Sequence, residues 1–228
     1  MRTFDNAGGA AVAAAGSTAG STKALLTCGM LAGPLYIVVV VLQALTRDGF
    51  DISRHPASML SNGDQGWIQI ANFAVSGLLF VAGAAGLHRV LGRAAGPGGT
   101  WGPRLIAVFG AGMLGAAALR ADPADGFPPG TARGVPATMS WHAAAHLLVA
   151  GVAFLALAAA CFVFARRFAA AGRSALAACG GVTGAAFLVT WSLLLTLQGS
   201  RPANVAFALA IGLALAWASL LAALHRPA

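Results

Sequence analysis

Six apolar runs divide this chain, and they leave it almost no soluble option. Their limits are about 24–46, 67–91, 103–120, 141–165, 174–197 and 203–224, each 18 to 25 residues long. A helix rises about 1.5 Å per residue, so about 20 residues cross the roughly 30 Å hydrocarbon core of a bilayer. Lipid offers no hydrogen bonds to bare backbone, so each run is expected to be a helix. Composition agrees. Hydrophobic residues make up 58% of the chain and charged residues only 9%, against about 25% charged in an average soluble domain. Too few polar side chains remain to coat a soluble fold of this size. The expected fold is all-α, a polytopic bundle of six transmembrane helices in a domain spanning 24–224.

Residues 1–23 are rich in Ala, Gly, Ser and Thr and carry no apolar period. They read as a disordered tail. The run that follows is too long for a signal-peptide core and lacks a small-x-small cleavage site after it, so it reads as a retained span.

Charge fixes the expected orientation. The tail, the 2–3 and 4–5 connections and the C-terminus carry Arg2, Lys23, Arg89, Arg93, Arg104, Arg166, Arg167, Arg173 and Arg226. The opposite side carries Arg47, Arg54, Arg120, Arg133 and Arg201, together with Asp48, Asp51, Asp64, Asp122 and Asp125. The side richer in basic residues is expected to be cytoplasmic, with both termini there. The net charge of +8 is dispersed singly or in pairs between apolar runs. That distribution suits membrane lipids as partners and speaks against nucleic acid. No P-loop or dinucleotide fingerprint is present, which speaks against a nucleotide. The sequence leaves the oligomeric state open. Cys28, Cys161 and Cys179 lie within apolar runs, with no metal-type spacing, and read as small packing residues.

The polar residues of the spans gather in the half expected to face outward. Gln69, Asn72 and Ser76 stand at i, i+3 and i+7, on one helical face. Gln43 closes the first span, Ser192 and Thr196 close the fifth, and Asn204 opens the sixth. Polar faces avoid lipid, so these residues are expected to line an extracytoplasmic cavity roofed by the 47–66 and 121–140 loops. Hydrogen bonding between helices is the alternative reading of the same residues.

His142 and His146, at i and i+4 in the opening turns of the fourth span, are the strongest candidate metal ligands. With a third ligand from Asp122, Asp51 or His55 they could hold a divalent metal such as zinc, although Ala143 stands where a zinc-protease helix has Glu. His142 is the expected partner of Asp122. Asp51, Ser58 and Asp122 are the candidate catalytic residues, with His55 a conceivable base beside Ser58. Turn and cap roles compete for Asp51 and the loop serines. The corresponding activity is a metal-assisted hydrolase of a lipid or lipid-linked substrate. Two other classes fit the sequence: a membrane scaffold or accessory protein without chemistry, and a small-molecule binder or transporter.

Several short motifs occur in order. They are Asp51-x-Ser53 with Ser58, Gly66-Trp67-Ile68 with Asn72-Phe73, and Gly77-Leu78-Leu79. Gly86-Leu87-x-Arg89, Asp122-Pro123 and His142 follow. In these the chain resembles a family known as domain of unknown function 998, over about residues 25–222. Leu119 departs from the aromatic residue expected before Asp-Pro. The resemblance implies a six-span protein of a bacterial or archaeal cell membrane and gives weight to the outer-face residues. It implies no activity. A looser likeness, in residue types alone, is to intramembrane amide hydrolases of the alkaline ceramidase type, which have seven spans.

Overall fold

The computed structural model describes residues 5–92, 96–134 and 136–227; Arg2 and Arg93 of the charge tally lie outside them. Among these residues there are six long α-helices and no strand: α1 Asp5–Thr46, α2 Gly66–Leu91, α3 Gly96–Ala118, α4 Trp141–Ala170, α5 Ser174–Thr196 and α6 Arg201–Leu224. Helix α1 begins at Asp5, within the stretch expected to be tail, and its membrane-competent part begins at Ala19. Five of the helices, all but α3, are long and apolar enough to cross a membrane. Leu45 is 78% exposed, and Leu148 and Leu209 are each 71% exposed, on the outer face of the bundle. Such a surface is stable only against lipid. The chain is a multi-pass membrane protein.

Each helix packs antiparallel against the next, and α6 returns to α1, so the bundle closes on itself. Small residues set the closest crossings. A Cβ on Gly29 of α1 would lie 2.8 Å from the Cα of Gly83 of α2. At Gly33 a Cβ would lie 2.5 Å from the Leu215 carbonyl oxygen of α6. These are the close approaches that small-xxx-small spacing permits. Pro34 follows Gly33 and interrupts the α1 backbone ladder. There the Gly33 N–H donates to Ser219 Oγ of α6 at 2.9 Å, a direct hydrogen bond across the close α1–α6 approach.

Aromatic rings fill the interior. Phe154 of α4 meets Phe187 of α5 and Phe207 of α6 at 5.3 and 5.7 Å, and Phe80 of α2 meets Phe109 of α3 at 5.2 Å. Phe80, Phe164 and Phe187 are fully buried.

Helix α3 is the exception in composition, and its packing explains why. Gly98, Gly102, Gly112 and Gly115 place it close against Arg167, Phe164, Ala153 and Val149 of α4 in turn, along nearly its whole length. Gly77 and Gly110 bring it equally close to α2. From Gly98 onward only Trp101, Arg104, Val108, Ala111 and Ala118 are exposed, one narrow stripe. A helix held between two neighbours shows little surface to lipid and needs fewer large apolar residues.

Candidate functional site

The end of the bundle that carries the long loops gathers nearly all of the sequence candidates, but in three separate groups. The first is a buried ladder between α1 and α2. Gln43 Nε2 donates to Gln69 Oε1 at 2.8 Å, and Gln69 Nε2 donates to Tyr36 Oη at 3.2 Å. Asn72 Nδ2 donates to the Tyr36 carbonyl at 3.2 Å and to Gln69 Oε1 at 3.3 Å. Ser76 Oγ donates to Asn72 Oδ1 at 3.3 Å. Gln69 and Ser76 are 0% exposed and Asn72 is 4% exposed. The shared face expected for these three residues exists, but it meets α1, not an open space. Tyr36 was not singled out in the sequence. Its only signal there is that a lone Tyr sits in an otherwise aliphatic span.

The second group caps α4. Asp122 accepts from Ser140 N–H at 2.7 Å and from Ser140 Oγ–H at 2.6 Å. Ser140 Oγ in turn accepts from Ala143 N–H at 3.1 Å, as an N-cap does. Asp122 is thus partnered by Ser140; His142 acts on it only through its charge. His142 is exposed and its ring lies on Trp141, while His146 is buried. His146 Nδ1 donates to the Leu119 carbonyl at 2.7 Å, which leaves Nε2 as the bare nitrogen. His142, His146 and Asp122 therefore do not converge. Among the described residues, no three His, Cys, Asp or Glu side chains stand where they could hold one ion. Ser140→Ala removes the cap and is expected to cost about 1 kcal/mol, read as a lower denaturation midpoint with membrane insertion unchanged.

The third group locks the two long loops together. Arg54 forks onto Asp125, with Nε to Oδ2 at 3.0 Å and a terminal nitrogen to Oδ1 at 2.6 Å. Asp125 has φ +48°, and the Asp125–Gly126 turn presents its carbonyl to His55 Nε2 at 3.1 Å. His55 Nδ1 accepts the Asp51 N–H at 3.0 Å. Both ring nitrogens are therefore occupied, so His55 cannot serve as a base for Ser58. Asp51 Oδ1 accepts from the Ser53 N–H and hydroxyl, at 2.9 and 2.7 Å, a turn-forming role. The Ser58 carbonyl accepts from Ser61 Oγ within the short 3₁₀ turn Ala57–Ser61. Beneath the fork, Phe127 is 0% exposed, packed on Phe50 and His55, with the Arg47 guanidinium 5.0 Å above its ring. This cluster was not foreseen. Its one sequence signal is an Asp-Gly turn with a free carboxylate in one loop and an Arg in the other.

Thr196 joins none of these groups. It is exposed, donates to the Ser192 carbonyl, and lines a shallow hollow of about 290 Å³ with Leu188 and Leu193.

Electrostatics support the lock. Hydrogen bonds from Ser53, Ser140 and Arg54 hold Asp51, Asp122 and Asp125, respectively, below the usual carboxylate range. A carboxyl with a depressed folded value contributes stability above its unfolded value and loses it as pH falls through the folded one. The unfolded value is about 4, so the loops are expected to hold at and above that pH and to open below it. Hydrogen exchange of the loop amides, corrected for intrinsic rates, checks this.

The order of these features (the Asp and Ser of the loop after α1, the polar face of α2, the Asp-Pro after α3) extends through most of the chain. Residues 30–224 match the family model described as protein of unknown function (DUF998). The chain belongs to that family. No curated protein and no solved structure matches it. For this DUF998 member the family label supplies no reaction, so function has to be argued from its own geometry.

Proposed function

We propose that this DUF998 protein is a six-span structural or accessory component of a bacterial or archaeal cell membrane, with no catalytic centre among the outer-half polar residues. The observation that carries this reading is the α1–α2 ladder. Gln43 Nε2, Gln69, Asn72 and Ser76 hydrogen-bond to one another and to Tyr36, and within the ladder the buried Gln43 Oε1 alone is left without a partner. Asp51, Asp122 and His55 are likewise committed to turns, caps and the lock between the loops. A hydrolase needs a nucleophile or a water-activating group facing a substrate space.

The sixth span is α3. It lies beside α4 from Gly98 to Gly115, so wherever α4 crosses the bilayer α3 crosses with it. Six crossings put both termini on one side, and the basic excess assigns that side to the cytoplasm. Arg226 at the C-terminal end donates to Thr27 in α1 at 2.9 Å, which accords with this reading.

The test is elemental analysis of the purified full chain, combined with complementation of a gene deletion by His142→Ala and Asp122→Asn. The expected result is no stoichiometric transition metal and full complementation by both variants. One zinc per chain, lost in a folded His142→Ala protein that no longer complements, would overturn the proposal in favour of the metal-assisted hydrolase.

A further inference from the structure

At the opposite end of the bundle, a groove of about 610 Å³ opens between the start of α3 and the end of α4. Its walls include Gly98 and Trp101 from α3, and Val163, Arg166 and Arg167 from α4. Gly98 leaves part of the α3 wall without a side chain. A Cβ there would come within 3.3 Å of the Arg167 stem. Trp101 is 55% exposed, with the Arg104 guanidinium 5.5 Å from its ring.

Charge at this end is one-sided. Arg89, Arg104, Arg166, Arg167, Arg173 and Arg226 lie here, whereas five of the six Asp residues lie at the long-loop end and the chain has no Glu. Arg binds phosphate oxygens through two parallel N–H donors. Exposed Trp settles at the headgroup level of a bilayer. The exposed flank of α4 above the groove offers Val152 and Leu155 to acyl chains.

We infer that this groove is a binding site for an anionic phospholipid of the leaflet on the termini side. Arg166 and Arg167 hold the headgroup phosphate, Trp101 lies beside the glycerol, and the acyl chains follow α4. The inference depends on this end lying at a membrane surface and not on the absence of chemistry at the other end.

The test is native mass spectrometry of the full chain in detergent, titrated with phosphatidylglycerol or with phosphatidylcholine. Expected is one retained phosphatidylglycerol per chain, with a preference over phosphatidylcholine on the order of tenfold. The Arg166→Gln/Arg167→Gln double variant should abolish that preference. Gly98→Leu should also abolish it, since it fills the groove and leaves every charge in place. Gly181→Leu, at a position with open space around it, should retain the preference, and helical content by circular dichroism verifies that each variant is folded. The inference is overturned by equal retention of the two lipids. Full retention in a folded Gly98→Leu protein would also overturn it, by showing diffuse surface charge alone. Displacement of the lipid by millimolar inorganic phosphate would overturn it by showing a site for free anions.

Discussion

Gly83→Leu is expected to be the most damaging single substitution in the bundle, at about 3 kcal/mol or more. Gly83 and Gly29 meet face to face where α2 crosses α1, and a Cβ on either would strike the other's backbone. Backbone cannot rotate out of the way as a side chain can. The helices must separate, and that movement also pulls on the hydrogen bonds of the ladder one helix half away. Gly181→Ala is the matched control, because a Cβ there meets nothing within 4 Å; it should be neutral or slightly stabilising through helix propensity. Unfolding by SDS titration in mixed micelles, followed by circular dichroism, measures both.

Phe127→Ala is expected to cost about 3 kcal/mol, in the range for deleting a fully buried ring. The effect should be confined to the loops. Phe127 is the piece on which Phe50, His55 and Arg47 converge, so its loss leaves a void under the Arg54–Asp125 fork. Hydrogen exchange should rise across 47–62 and 122–134 while the helix amides stay protected. By contrast, Gln69→Leu removes two interhelical hydrogen bonds, to Gln43 and Tyr36, and one within α2, to Asn72, at about 0.6 kcal/mol each in membrane proteins, and should be milder. A Gln69→Leu effect as large as that of Phe127→Ala would mean that the ladder does more than join two helices.

Much of the fold was legible in the sequence because its signals are local. Apolar run length and flanking polar residues place the start of α4 at 141, α5 over 174–197 and the end of α6 at 224, all close to the structure. Helix α1 starts at Asp5 and not near 24, and helix α3 starts at Gly96 and not near 103. Its opening is Gly- and Pro-rich, and its helicity comes from docking on α4, which hydropathy does not register. The surroundings of the candidate site residues escape the sequence for a different reason. Spacing shows that Gln69, Asn72 and Ser76 share a face, but not whether that face meets water or a Tyr and a Gln on α1. His142 and His146 lie one turn apart, yet His142 is exposed with its ring on Trp141, while His146 is buried beside Phe73 with its ring bonded to the Leu119 carbonyl, a difference that spacing does not register. The Arg54–Asp125 pairing spans 71 residues of sequence and leaves no periodic trace at all.

In the proposed topology α3 crosses the membrane with its neighbours, making six spans with both ends inside. Single cysteines at exposed positions test it, with Cys28, Cys161 and Cys179 replaced by Ala. A membrane-impermeant maleimide applied to intact cells should label Ala137→Cys after α3 and Gln198→Cys after α5. It should label His88→Cys at the end of α2 and Arg173→Cys before α5 only once the cells are permeabilised. Labelling of His88→Cys and Ala137→Cys from the same side would contradict the account, because α3 would then not cross.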